Sequence, residues 1–266
     1  MGIERNSSYK SPPLDSVNLT LVLNELDGIK QTDLAYIAEM FAGEKYPNLG
    51  ELPPTFTLTE PVNLFRNTTF PSPQSDLPAL RAISLSSEGA DWHLRLQDTR
   101  LSVEWKHQSD QYPRFPELKV RFTEALEIFE KALDDRGFVQ RTYKQVEITY
   151  LNLLPTNALS EVLRIVNPLT ISFESSNLSY IPLAESLKYV YGVNDQSATA
   201  GRIYFDCYPF DESKLVARIA FFAALKETSK EQLTRVLELG HLATNEWFNN
   251  ITLEPLQISK WGKEFK

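Results

Sequence analysis

Two hydrophobic periods, two residues and about three and a half, divide the chain into a series of elements that runs through twice. Val17-Asn-Leu-Thr-Leu-Val-Leu alternates apolar and polar side chains, the mark of a strand with one buried face. Ile29, Leu34, Ile37, Ala38 and Phe41 recur at helical spacing, and Gly43 ends the helix predicted over 29–42. Pro47, Gly50, Pro53 and Pro54 make 43–54 a loop. Thr55–Glu60 is a short strand, 61–78 a proline-punctuated surface connection, and Ala79–Ser86 another strand.

Residues 92–105 carry the sharpest pattern. With Asp98-Thr99 as the turn, Gln97 faces Arg100, Leu96 faces Leu101, Arg95 faces Ser102, Leu94 faces Val103, His93 faces Glu104 and Trp92 faces Trp105. This register puts Trp92, Leu94, Leu96, Leu101, Val103 and Trp105 on one face and only polar side chains on the other. A one-residue slip would scramble both faces, so the alternation specifies the hairpin. After Tyr112-Pro113, Leu118, Phe122, Leu126, Phe129 and Leu133 form the apolar stripe of a helix over 115–136, stopped at Arg136-Gly137. That helix should lie across the apolar face of the hairpin.

The series then restarts. Val146–Leu154 is a strand that echoes the one at Val17, 158–166 a short helix, and Leu169–Glu174, Ser186–Val193, Gly201–Cys207 and Lys214–Phe222 four strands. A helix over 229–250 opens on Ser229 as N-cap, with Glu231 in its first turn. Its apolar stripe is Leu233, Leu237, Trp247 and Phe248, continued by Ile251. The predicted fold is α+β: a flexible arm, 1–14, and two similar strand–helix–four-strand–helix halves, 15–140 and 141–266. They should form one continuous unit, a curved antiparallel sheet backed on one face by two long helices.

That element order resembles the TATA-box-binding-protein-like architecture, a likeness of fold that carries no function. The motif Leu94-x-Leu96-x-Asp98-x-x-Leu101-x-x-x-Trp105, followed by Tyr112-Pro113, Tyr150-x-Asn152, His241, Phe248 and Ile251-Thr252, resembles a sporadically distributed bacterial family of roughly 250-residue proteins without an assigned function. The resemblance implies a prokaryotic cytosolic protein in mobile or defence-linked gene neighbourhoods, and brings no catalytic residues with it.

Composition narrows the function classes. A net charge of −8 disfavours a nucleic-acid binder, whose affinity comes from a basic field. The single cysteine, Cys207, forbids an intramolecular disulfide and fits a reducing compartment. No run approaches the roughly 20 apolar residues of a membrane span, and the first residues lack the apolar core of a signal peptide, so a cytoplasmic location is expected. P-loop, GxGxxG, GxSxG and HExxH motifs are absent, and no cofactor or metal site is predicted. Cys207, on an apolar face with Ile203 and Phe205, reads as a buried core thiol.

What chemistry remains lies on strands. The polar face of the first hairpin carries His93, Arg95, Gln97, Arg100, Glu104 and Lys106; its counterpart presents Arg202, Tyr204, Asp206, Tyr208 and Arg218. With helices on one side only, these should meet on one exposed surface rich in the Arg and Tyr of binding hot spots. The leading expectation is therefore a non-enzymatic binding protein that holds another protein there, with self-pairing at a sheet edge as a further option. Tyr150, Asn152 and His241 mark a possible groove. Two alternatives stay open: a small-molecule carrier with an apolar cavity lined by Phe221, Trp247 and Phe248, and a hydrolase or nuclease using His241 as base.

Overall fold

The computed structural model describes residues 7–54, 80–108, 112–155, 187–195 and 198–265. In it β5 (Trp92–Gln97) and β6 (Arg100–Lys106) pair Trp92 with Trp105, Leu94 with Val103 and Gln97 with Arg100, the register dictated by the alternation. This hairpin belongs to a nine-stranded, wholly antiparallel sheet. The other strands are β2 (Leu14–Leu23), β3 (Asn48–Leu52), β4 (Ala82–Ser86), β7 (Tyr143–Leu154), β8 (Leu187–Asp195), β9 (Ala198–Pro209) and β10 (Leu215–Ala224). Their order is β3-β4-β5-β6-β2-β7-β10-β9-β8.

The first strands of the two series, β2 and β7, pair at the centre, with Leu19 opposite Ile148. Each is flanked by the last strand of its own series, β6 beside β2 and β10 beside β7, so the element order is mirrored about the central pair. The predicted strand Thr55–Glu60, helix 158–166 and strand Leu169–Glu174 lie outside the described residues.

Alternation sends Val17, Leu19, Leu21, Leu94, Val103, Trp105, Val146, Ile148, Phe205, Ile219 and Phe221 to one face, where all are buried. Two long helices cover them. Helix α2 (Arg114–Asp135) packs on β6 and β2 through Leu118, Phe122, Leu126, Phe129 and Leu133, and α3 (Lys230–Ile251) packs on β7, β9 and β10. The two run antiparallel, with Lys119 paired to Glu238 at one end and Lys230 to Glu127 at the other. A shorter helix, α1 (Gln31–Glu39), lies on β4 and β5 beside α2.

Both predicted helix ends form. Ser229 accepts a hydrogen bond from the Gln232 backbone amide at 3.1 Å. At the α2 C-terminus Gly137 adopts φ 85°, the Phe138 amide donates to Leu133 O at 2.8 Å and the Gly137 amide to Asp134 O at 2.9 Å. That paired closure needs a left-handed residue, which glycine supplies without steric cost.

Two segments depart from the sequence reading. The 43–54 loop contains β3, whose residues are mostly exposed; pairing with β4 (Leu49 opposite Leu85) makes it a strand, not any period of its own. The arm read as flexible includes β1 (Ser7–Tyr9), which pairs with β11 (Lys263–Phe265) at the other end of the chain, and Leu14 already belongs to β2. Tyr9 holds this clasp, its ring edge-on to Phe248 at 5.7 Å and to Trp261 at 6.0 Å. A short helix, α4 (Glu254–Ser259), leads into β11.

Candidate functional site

The polar face divides into two unlike parts. Across β5, β6, β2 and β7 several of its side chains pair with one another. Arg95 donates to Glu104 at 2.9 Å, Arg100 to Glu147 at 3.4 Å and Gln145 to Glu147 at 2.9 Å, while the Thr20 and Ser102 hydroxyls lie 2.7 Å apart. Gln97, Arg100, Ser102, Glu104 and Gln145 are buried, so the first half of the predicted surface is not the open one expected. The physical reason is the register itself: it sets Arg95 diagonal to Glu104 on the neighbouring strand, and Arg100 reaches Glu147 across β2. His93, half-buried, bonds through Nε2 to Ala90 O at 2.9 Å, and burial holds its pKa below the usual value.

On β8, β9 and β10 the face is open. Arg218 is exposed and clamps Asp206 through Nε at 2.8 Å, directly across the β9–β10 register. Tyr208 on the same face, Phe210 beyond the end of β9 and Val190 on β8 are 43%, 61% and 49% exposed. Tyr204, half-buried, sits opposite Val190 and edge-on to Phe222 at 5.0 Å. Arg202 is half-buried beside it. Of the residues expected there, Arg218 and Tyr208 are exposed, while Val216, Ala220 and Phe222 of the same face are buried.

The groove residues meet on the helix side. Tyr150 Oη lies 2.7 Å from His241 Nδ1, and Phe115 stacks flat on the imidazole at 3.9 Å between ring centres. Asn245, one turn on along α3, lies 3.1 Å from Nε2. With the Asn245 amide donating to Nε2, Nδ1 carries the proton and donates to Tyr150. Burial lowers the His241 pKa to about 4 and pushes that of Tyr150 far up. Both ring nitrogens are therefore engaged, and the lowered pKa makes the imidazole a weak base. Asn152 ties β7 to β10, donating to Ala217 O at 3.2 Å. Cys207 is buried as expected, its thiol pushed up to about 12 by desolvation.

Beside this cluster opens a pocket of about 240 Å³, lined by Lys10, Ser11, Pro12, Leu14, Trp105, His107, Tyr112 and Arg114. The Tyr112 ring lies 5.3 Å from Trp105, and Tyr112 also contacts Tyr150, so Trp105, Tyr112, Tyr150 and His241 form one chain of rings. Those four come from the motifs that carry the family resemblance, and they arrive here from four separate segments. The basic members of the wall, Lys10, His107 and Arg114, went unread in the sequence. They come from separate segments, and the arm's return along β11 brings Lys10 to the other two.

The space between α3 and the sheet is filled. Gly240 lets the helix come down onto Phe221, which is fully buried, and the Trp247 ring lies tilted against Tyr191 at 4.3 Å between centres. Among the described residues, the contacts at Gly240 and Phe221 leave no room there for the enclosed apolar cavity of a carrier. Among the described residues, no three of His, Cys, Asp and Glu converge as metal ligands do, and no helix is long and apolar enough to cross a membrane. Comparison with protein-family models, with curated proteins and with solved structures gives no match to this chain.

Proposed function

We propose that this chain is a non-enzymatic binding protein that holds a protein partner on the open polar face of β8, β9 and β10. One observation carries the reading: Arg218, Tyr208, Phe210 and Val190 stay exposed at one end of a face whose polar side chains on β5 and β6 are buried or half-buried. Large apolar and aromatic side chains grouped around an arginine are the composition of an interaction hot spot, and a monomer gains nothing by exposing them together. The matching surface of the first half, with Arg95 and Glu104 paired, serves to hold strands together. The His241 cluster is compatible with the same reading, since its imidazole is weakly basic and stacked flat under Phe115.

Co-purification from the native host tests it. A partner should be recovered with the wild-type chain and lost with Arg218→Glu or Tyr208→Ala, each weakening binding by at least about 30-fold, a hot-spot effect of roughly 2 kcal/mol. Lys45→Glu, a charge reversal on a helix-side residue, should leave recovery unchanged. A partner retained equally by all four proteins would refute the assignment of this face.

A further inference from the structure

We infer that the chain is a twofold dimer fused into one polypeptide, and that each half carries a self-complementary interface through which it can pair with a copy of itself. The central strands give the axis. Val17 pairs with Tyr150, Leu19 with Ile148 and Leu21 with Val146. Along the sequence, Val17 and Val146, Leu19 and Ile148, Thr20 and Thr149, and Leu21 and Tyr150 stand at one constant offset. Exchanging the members of each couple turns the Val17–Tyr150 pair into the Val146–Leu21 pair and leaves Leu19–Ile148 on itself. An isologous contact, in which one patch meets its own equivalent, behaves in this way.

The flanking strands obey the same exchange. Arg100 on β6 lies beside Val22 of β2, and Arg218 on β10 lies beside Leu151 of β7, the equivalent of Val22. Across their hairpins Arg100 faces Gln97 and Arg218 faces Asp206.

The helices supply an independent observation. Both α2 and α3 are 22 residues long. Lys119 pairs with Glu238, and Glu127 with Lys230 at 3.5 Å. With Lys119 equivalent to Lys230 and Glu127 to Glu238, exchanging the halves converts one ion pair into the other. The same alignment matches Phe122 with Leu233, Leu126 with Leu237 and Leu133 with Thr244, all of them buried.

These charges make each half complementary to itself. A copy of the first half seated in place of the second brings its Glu127 to Lys119 and its Lys119 to Glu127. It also sets Leu19 opposite Leu19 and Val17 opposite Leu21. The second half repeats this with Lys230 and Glu238. Burial of the apolar strand residues drives such pairing, and the ion pairs select its register. The Phe115–His241 stack and the β1–β11 clasp join unlike halves only, so the native pairing is the tighter one. The short connection from Asp135 to Tyr143 adds an effective concentration in about the millimolar range, which keeps the intact chain paired with itself.

The test cuts the full chain once, at a protease site in place of Val139 and Gln140, both exposed, and leaves the two halves together in solution. The cut protein is refolded from a urea concentration at which the uncut chain refolds, and native mass spectrometry separates the pairs by mass. First–second pairs should dominate, with first–first and second–second pairs present. Lys119→Glu combined with Glu127→Lys sets like charges against the second half but keeps opposite charges between first halves. It should raise the ratio of first–first to first–second pairs at least about fivefold, the scale of two exposed ion pairs reversed in sign. The rise should shrink in about 1 M salt, where the Debye length is about 3 Å. Adding Lys230→Glu with Glu238→Lys should undo it. Absence of like-half pairs from both proteins, a ratio unmoved by the charge exchange, or a cut chain that regains no pairs would overturn the proposal. None of these substitutions alters Arg218, Tyr208 or Phe210, so this inference and the reading of a protein partner on that face stand or fall separately.

Discussion

At the scale of single residues, His241 makes a measurable demand on the fold. Its pKa is lowered from 6.5 to about 4 because burial under Phe115 disfavours the imidazolium, so the unfolded chain takes up a proton that the folded chain refuses. With a folded pKa below the unfolded one, stability is constant above about pH 6.5. It declines as pH falls from there to about 4, and the total loss is on the order of 3 kcal/mol. His93 shifts in the same direction, so the comparison must be made between wild type and His241→Gln. Urea midpoints measured at pH 7 and pH 4.5 should differ less in the variant than in the wild type. An equal drop in both would mean that His241 is protonated in the fold. The sequence placed Tyr150 and His241 in one possible groove, and they meet there; the flat Phe115 stack, made from another helix, was not legible.

Elements whose period was long and one-sided were the ones the sequence specified. The 92–105 hairpin, α2 and α3 form where expected because each buries a face that no other pairing or rotation would bury as well. Strand β3 has no such face and exists only through its neighbour, so nothing in its own residues announced it. Close approach between elements is equally silent in a period, and Gly240 is the case in point. A Cβ at this position would lie 2.7 Å from Ile148 Cδ1 and closer still to Phe221, whose ring is locked in the core. Alanine in place of glycine favours a helix by about 1 kcal/mol, but forcing an extra methyl into a filled core costs roughly 1–3 kcal/mol. With two neighbours in conflict the packing term wins. Gly240→Ala should lower stability by about 1–2 kcal/mol in urea denaturation, whereas a gain of the helix-propensity size would show that α3 stands off the sheet.

Across the whole molecule, the two ends of the chain are structural parts of one another, which no local pattern could express because the pairing spans the full sequence. Strand β1 pairs with β11, the Lys10 and Ser11 amides donate to Gly262 and Trp261 carbonyls, and the Tyr9 hydroxyl bonds Asn249 on α3. The same clasp supplies Lys10 and Ser11 to the pocket wall and holds Arg114, so the sequence reading of a flexible arm hid a structural bond. Tyr9 carries most of the apolar contact. Burial of a side chain of that size contributes about 1.5–3 kcal/mol, and edge-on aromatic pairs add about 0.5–1.5 kcal/mol each. For a chain of this size 1 kcal/mol moves the melting temperature by about 2–4 °C. Tyr9→Ala should therefore melt on the order of 5–10 °C below the wild type in differential scanning calorimetry, with its first and last residues becoming sensitive to limited proteolysis together. An unchanged melting temperature, or cleavage at one end while the other stays protected, would show that the ends are not bound to each other through Tyr9.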